Sequence, residues 1–326
     1  MTESRLTIVI PAFKVDFLVK TLESIFRQTD GRFNLFIGFD SNQEEINSIL
    51  ERYRAVYTFE SLDFGDGLSQ RDLVAHWNRC VASSALSEWV WLFSDDDVMH
   101  EDCVKSFYEE LEVSMNQDLF HFNVEIIDPN DVILTRPHPF PASLTTREYV
   151  ELRAKGIIES FVIEYIFRRS LFESMGRFVK FDLAWCSDDA TWIGLSIVSG
   201  IRTISGPGVY WRRSERNITP AVSSQLLRRK FASEIAYLKW ILDLRIDEVA
   251  GNAGTNIFQL TLEWFYRKMR HAAVYMSTSD IDSIFDQLSD LPERSLRREW
   301  FRCKTHFYRL YFKQKAIGKL LVVKGA

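Results

Sequence analysis

Three consecutive carboxylates, Asp95, Asp96 and Asp97, stand one residue behind the aromatic run Trp89-Val90-Trp91-Leu92-Phe93. Negative charges crowded in this way need a cation beside them. Carboxylate oxygens suit Mg2+ or Mn2+, ions that proteins typically hold with one or two carboxylates while substrate phosphates supply further ligands. Such an ion acts as a Lewis acid on a phosphorylated substrate. Asp40 ends a second apolar run. Asp188-Asp189 is a second run of adjacent carboxylates, and Arg212-Arg213 a pair of adjacent cations behind an apolar run. Each feature also has a plain structural reading. The aspartate run suits an acidic turn before a helix, and the dipole of a helix alone favours Asp188 and Asp189 in its first turn.

These groups need elements to position them. The run ahead of Asp95 is short, aromatic and branched, so it reads as a buried strand. Its carboxyl end is where open α/β sheets bind ligands. Leu6 to Ile10 reads as a first strand stopped by Pro11, Leu35 to Phe39 as a second, and Val56 to Phe59 as a third. Helical patterns over Val15–Gln28, Gln43–Arg54 and Leu68–Leu86 alternate with them, which predicts a parallel sheet. Asp40 and the aspartate run should then share one rim. A helix follows over Glu101–Met115, then a strand over Leu119–Ile127 and a return over Val132–Leu134. Pro137, Pro139 and Pro141 mark a stiff loop. A helix over Thr146–Lys155, a strand over Phe161–Phe167 and a helix from about Ala190 come next. Ile201 to Tyr210 reads as a strand holding a Gly206-Pro207-Gly208 turn, and Arg168-Arg169 as a solvated turn. Beyond Pro220 long helical periodicities take over. The expected organisation is an α/β domain over 1–220 and a helical region over 221–326.

Net charge is −5 over 326 residues, which excludes nucleic acid as a partner on charge grounds. Cys80, Cys103, Cys186 and Cys303 have no paired spacing, which argues against a zinc site or a disulfide framework. The start lacks a signal-peptide pattern, and no apolar stretch is long enough to span a bilayer. The expected location is cytoplasmic, with peripheral attachment to the cytosolic face of the inner membrane as an option. That option rests on the tail. From Arg294 to Lys324 it carries ten Lys or Arg and a single acid, Glu299, interleaved with Trp300, Phe301, Phe307, Tyr308, Leu310, Tyr311 and Phe312. A basic helix of this kind suits an anionic membrane surface, or packs on its own domain with its charges in water.

In order along the chain, the landmarks resemble the family 2 glycosyltransferases of the GT-A fold over roughly residues 5 to 220. Thr7-Ile8-Val9-Ile10-Pro11-Ala12-Phe13 is similar to the family's first strand and the turn beneath the nucleotide. Phe39-Asp40-Ser41 matches the second strand end, where an acidic residue reads the base. Asn78-Arg79 stands where the family often has an Arg-Asn pair. Phe93-Ser94-Asp95-Asp96-Asp97 looks like its D-x-D metal motif, and Ser187-Asp188-Asp189 like its base-bearing acidic pair. Tyr210-Trp211-Arg212-Arg213 is similar to the segment closing over the diphosphate. The chain departs from the pattern in Ser94 where Asp is common, in Asp188 where Glu is common, and in Arg213 where His is common. The resemblance implies a mostly parallel GT-A sheet, Mn2+ or Mg2+ on Asp95 and Asp97 with Asp97 the preferred direct ligand, and Asp189 as base with Asp188 beside it. It further implies a UDP-sugar or related donor bound by Pro11, Ala12, Phe13, Asp40, Asn78, Arg79, Asp95, Asp96, Arg212 and Arg213. The acceptor would be a saccharide or lipid-linked saccharide in surface-polysaccharide synthesis. Trp185 and Trp192 are candidates for sugar stacking, and His138 for acceptor contact. A noncatalytic nucleotide-sugar-binding subunit on the same fold is the rival reading.

Overall fold

The computed structural model describes residues 4–215, 217–218, 223–245, 248, 256–292 and 295–324, with side chains to residue 312. The chain divides into two compact units, one built from residues 1–180 and 187–216, the other from 181–186 and 217–326.

The first unit is organised on one sheet. Its strands are β1 Leu6–Ala12, β2 Phe33–Phe39, β3 Glu60–Asp63, β4 Trp89–Leu92, β5 Val98–Met99, β6 Leu119–Ile127, β7 Ile133–Thr135, β8 Ser143–Leu144, β9 Tyr165–Arg168 and β10 Ile201–Arg212. They lie in the order β3-β2-β1-β4-β9-β6-β10-β5, with β7 against β6 and β8 against β10. β1 pairs in parallel with β2 and β4, β2 with β3, and β6 with β10. β9 is antiparallel to both β4 and β6, so β6 runs with β4 and the long strands share one direction. The sheet is thus mostly parallel. Its central strands are apolar on both faces because helices cover both. α1 Leu18–Phe26, α2 Gln43–Arg54, α3 Leu68–Arg71, α4 Leu73–Ser83, α5 Cys103–Val113, α6 Thr146–Lys155, α7 Arg169–Ser174 and α8 Ser187–Ser199 fill the connections. Trp89, Trp91, Phe93, Phe107, Phe120 and Phe122 are all fully buried within one core.

Several elements differ from the expectation. The third strand begins at Glu60, four residues later than expected. The amides of Val56 and Tyr57 instead turn back to the carbonyl of Tyr53, and Tyr57 stacks on Phe26 at 3.8 Å. The helix expected over Leu68–Leu86 breaks at Asp72, whose φ of −150° leaves the helix while its carboxylate caps α4 by accepting the amide of Ala75 at 3.0 Å. Residues 162–164 form a 3-10 turn rather than strand, with the amide of Phe161 donated to the Glu164 carboxylate at 3.0 Å. The Gly206-Pro207-Gly208 segment, expected as a turn within its strand, is a bulge in the continuous strand β10. A Cβ on Gly208 would meet the carbonyl oxygen of Asn123 at 2.4 Å, so this close approach of two backbones requires glycine. Arg168 and Arg169 are not solvated. Arg168 pairs with Glu88 and Asp118. Buried Arg169 donates to the carbonyls of Ser87, Val81 and Ala85.

The second unit is helical. α9 Ser224–Asp243, α10 Ile257–Ala272, α11 Thr278–Gln287 and α12 Ser295–Lys324 enclose a core that includes Phe231, Leu262, Phe265, Met269, Ile281 and Phe285. The segment 181–186 belongs to it: Asp182 pairs with Arg229 at 2.7 Å and Trp185 donates to Glu234 at 2.8 Å. Leu183, Ala184 and Cys186 there have φ of 60°, 55° and 66°. Left-handed backbone at non-glycine residues costs on the order of 1–3 kcal/mol each. Among the described residues no helix is long and apolar enough to cross a membrane.

Candidate active site

The carboxyl ends of β1 and β4 build the first corner of the site. Asp95 turns one carboxylate oxygen, Oδ2, onto the amides of Phe13 and Lys14, both at 2.5 Å. It thereby fixes Phe13 and Lys14, where the chain leaves β1. Lys14 reaches back, its Nζ 2.5 Å from Asp96 Oδ2. Asp97 accepts the backbone amide of Arg212 on Oδ1 at 2.6 Å, while its Oδ2 is buried with no hydrogen-bond partner. All three carboxylates are nearly inaccessible, Asp97 being 1 % exposed. Burial, then the charge of Asp96, pushes the Asp97 carboxyl well above the usual range. Burial likewise raises Asp95, to about 6, against the opposing pull of Lys14. For Lys14 burial acts downward, but Asp95 and Asp96 outweigh it and hold the ammonium above its ordinary value.

One ammonium therefore serves three buried carboxylates, and one oxygen is left unsatisfied. That combination fits a divalent cation, with Asp97 Oδ2 the oxygen free to hold it. Among the described residues no three His, Cys or acidic side chains gather as a complete metal cage.

Arg212 does not lie open over this corner as expected. It is fully buried, donating from Nε to the Asp96 carbonyl at 2.7 Å and from Nη1 to the Asp128 carbonyl at 2.9 Å and Asp131 at 2.6 Å. Its guanidinium sits 4.5 Å from the Phe17 ring centroid. The side chain props the corner from beneath, and among the described residues the exposed cation just past β10 is Arg213.

A second cluster forms at the end of β2. Asp40 accepts the amide and hydroxyl of Ser69 at 2.7 and 2.5 Å, and pairs with Arg79. Arg79 also holds Asp66 at 2.8 Å. Burial works against the charged form of Asp40, but Ser69, His76 and Arg79 more than offset it and keep the carboxyl below its usual range. The break at Asp72 matters here, because it lets the short α3 bring Ser69 under Asp40. The side chain of Asn42 donates to the Phe13 carbonyl at 2.7 Å and ties this cluster to the first corner. Asn78 faces elsewhere: it accepts the amide of Phe178 at 3.1 Å and anchors α4.

The acidic pair occupies the first turn of α8, which starts at Ser187, three residues earlier than expected. The two aspartates have different surroundings. Asp189 is clamped, its Oδ1 accepting Tyr149 and Arg153 Nε, each at 2.8 Å, and its Oδ2 accepting Arg153 Nη2 at 2.7 Å. Asp188 is partly exposed, and burial followed by repulsion from Asp189 raises its carboxyl to about 7. Tyr149 continues to Ser160 at 3.2 Å, and the next residue, Phe161, stacks on Trp211 at 4.6 Å beside Arg212. A chain of contacts thus joins the acidic pair to the first corner. Trp192 is fully buried and stacked on Tyr165 at 4.4 Å, which makes it core rather than a sugar platform. Trp185 is spent on Glu234 in the second unit. His138 bonds its neighbour Pro139 at 2.9 Å and lines a small polar pocket with His121 and Glu164.

Lys14, Tyr149 and Arg153 are site residues that the sequence did not single out. Lys14 had a signal, since it follows the turn after a strand whose neighbours end in carboxylates. Arg153 and Tyr149 had none, because α6 meets α8 only in the fold.

A family model described as Glycosyl transferase family 2 matches residues 7–175. No curated protein matches the chain. Among solved structures, Staphylococcus aureus TarS 1–349 in complex with UDP-GlcNAc is similar at 13 % identity, with 96 % of this chain and 92 % of that chain covered and a TM-score of 0.60. The same protein in complex with UDP matches at 13 % identity over the same shares, with a TM-score of 0.55. The mannosyltransferase PcManGT from Pyrobaculum calidifontis, in complex with GDP-Man and Mn2+, is similar at 15 % identity over 96 % of this chain and 89 % of that chain, with a TM-score of 0.50.

Proposed function

The chain belongs to glycosyl transferase family 2, and from that premise we propose that it moves a sugar, with inversion, from a nucleoside-diphosphate donor to a saccharide hydroxyl. A UDP-sugar is the favoured donor, Mn2+ or Mg2+ the cofactor, and a saccharide or lipid-linked saccharide of a surface polysaccharide the acceptor. The observation that carries the metal and the donor is the buried, unpartnered oxygen of Asp97 beside a carboxylate cluster short of positive charge. TarS and PcManGT, which share the fold, are described with UDP-GlcNAc and with GDP-Man and Mn2+ respectively.

The residues divide the work as follows. Asp97 would hold the ion, with Oδ2 its unpartnered oxygen, and Asp95 braces the β1 turn so that Pro11, Ala12 and Phe13 would lie under the nucleotide. When bound, the ion supplies Lewis-acid stabilisation to the departing diphosphate. Asp40, ordered by Ser69 and Arg79, takes the base or ribose end. Arg213, the exposed cation, faces the diphosphate in place of buried Arg212. The base is Asp188 rather than Asp189. Both oxygens of Asp189 are committed to Arg153 and Tyr149, whereas Asp188 is reachable and titrates near the pH at which general bases are most effective. Asp188 takes the acceptor hydroxyl proton as that oxygen bonds the anomeric carbon. The bond to the diphosphate breaks on the opposite face, and the bonding pair leaves with the diphosphate. One displacement gives inversion.

The test is nucleoside-diphosphate release from a panel of UDP- and GDP-sugars with Mn2+, with and without saccharide acceptors. Turnover with any donor supports the reading. Metal-dependent binding of a donor without turnover under any condition would favour the noncatalytic subunit.

A further inference from the structure

On α12 the described side chains sort onto two faces. The inner face packs on the helical unit: Phe301 stacks on Tyr266 at 4.1 Å and Thr305 is buried. Arg297 pairs with Glu263 at 2.7 Å, Arg302 with Asp286, and Arg309 donates to the Met276 carbonyl at 2.8 Å. The outer face carries Leu296, Trp300, Phe307 and Leu310, exposed at 84, 54, 71 and 55 %, with exposed Cys303 between them. Their spacing is four, three, four, three. In sequence the same period continues through Gln314 to Ile317 and Leu321. A repeat of 3.5 residues keeps one seam in contact only when two helices supercoil about each other.

With Trp300 and Phe307 at a, and Leu296, Cys303 and Leu310 at d, Glu299 falls at g and Lys304 at the next e. In a parallel, in-register pair a g residue meets the e residue five positions on in its partner. Among the described side chains Glu299, which also lies 3.7 Å from Arg302 of its own helix, and the exposed Lys304 occupy those two positions, so each pair of copies makes the contact twice. We propose that α12 associates with α12 of a second copy of this chain as a parallel two-stranded coiled coil. Lipid is the poorer occupant. Among the described side chains of α12, Arg297, Arg302 and Arg309 are turned inward to partners in their own unit, which leaves Lys304 rather than a row of free cations on the described part of the outer face.

The experiment is sedimentation equilibrium of the full chain at micromolar concentrations. A dimer is expected, weakened at least about tenfold by Phe307→Glu, an exposed site whose substitution leaves the thermal melt of the unit in place. Glu299→Lys and Lys304→Glu should each weaken self-association, and an equimolar mixture of the two should restore it, because both cross-pairs are then attractive. A wild-type monomer at every concentration, an indifferent Phe307→Glu, or a mixture no tighter than its components would overturn the proposal. So would a monomer that sediments with phosphatidylserine vesicles through the same face.

Discussion

Replacing Asp188 and Asp189 in turn by asparagine separates a base from a clamp. Asp188→Asn removes the proposed proton acceptor and little else, so turnover should fall ~10²–10⁴-fold, about 3–5 kcal/mol of barrier, with donor affinity nearly unchanged. Asp189→Asn leaves Arg153, only 18 % exposed, without its counter-charge. Breaking a buried pair in this way costs roughly 3–5 kcal/mol, and at ~2–4 °C per kcal/mol for a unit of this size Tm should drop by about 6–20 °C. The pH profile sharpens the distinction. A base raised to about 7 is about one-tenth ionised at pH 6 and nine-tenths at pH 8, so kcat/KM should climb roughly tenfold between them. A base with an ordinary carboxyl pKa would give a flat line. The stability sign is opposite. A carboxyl raised in the folded state contributes stability below its unfolded pKa of ~3.9 and loses it as pH rises through about 7. Asp188→Asn should therefore melt higher than wild type at pH 8. The assays are initial rates of nucleoside-diphosphate release from pH 5.5 to 8.5 and thermal melts of all three proteins. Equal turnover loss in both variants with no Tm difference, or a flat wild-type profile, would refute the assignment.

Lys14→Met removes the one ammonium among three buried carboxylates. It should raise the Mn2+ affinity of the nucleotide-free protein while lowering stability, read by titration calorimetry and melting. Gly208→Ala forces a Cβ against the Asn123 carbonyl at 2.4 Å and should cost about 1–3 kcal/mol in denaturant unfolding, the usual range for overpacking. Asp40→Ala frees Arg79 and Ser69 together, and should weaken nucleotide binding more than it weakens binding of inorganic pyrophosphate, measured by competition.

The sheet rim was legible because strand and helix periods alternate cleanly up to Leu92, and a parallel sheet then puts every following residue on one edge. Asp40 and Asp95–Asp97 needed no more than that. Ranking Asp188 against Asp189 was not legible. The difference between them is made by Arg153 and Tyr149, which α6 delivers from about 40 residues upstream. Arg212 misled for a related reason. A basic dipeptide at a strand end reads as surface, but strand alternation sends one arginine inward and the other out. The break at Asp72 had a local signal, an aspartate three residues ahead of Ala75 and able to cap it, yet it was outweighed by the helical period on either side. The late start of β3 depends on Tyr57 stacking against Phe26, a contact between elements about 30 residues apart.

The claim at the centre is that the Asp95–Asp97 corner takes a nucleoside diphosphate together with a divalent ion through Asp97. Titration calorimetry of UDP and GDP into wild type and Asp97→Ala, each with and without Mn2+, addresses it directly. The expected result is nucleotide binding that strengthens at least tenfold with Mn2+ in wild type and is indifferent to Mn2+ in Asp97→Ala, with both proteins melting as folded. Equal Mn2+ dependence in the two proteins would contradict the account.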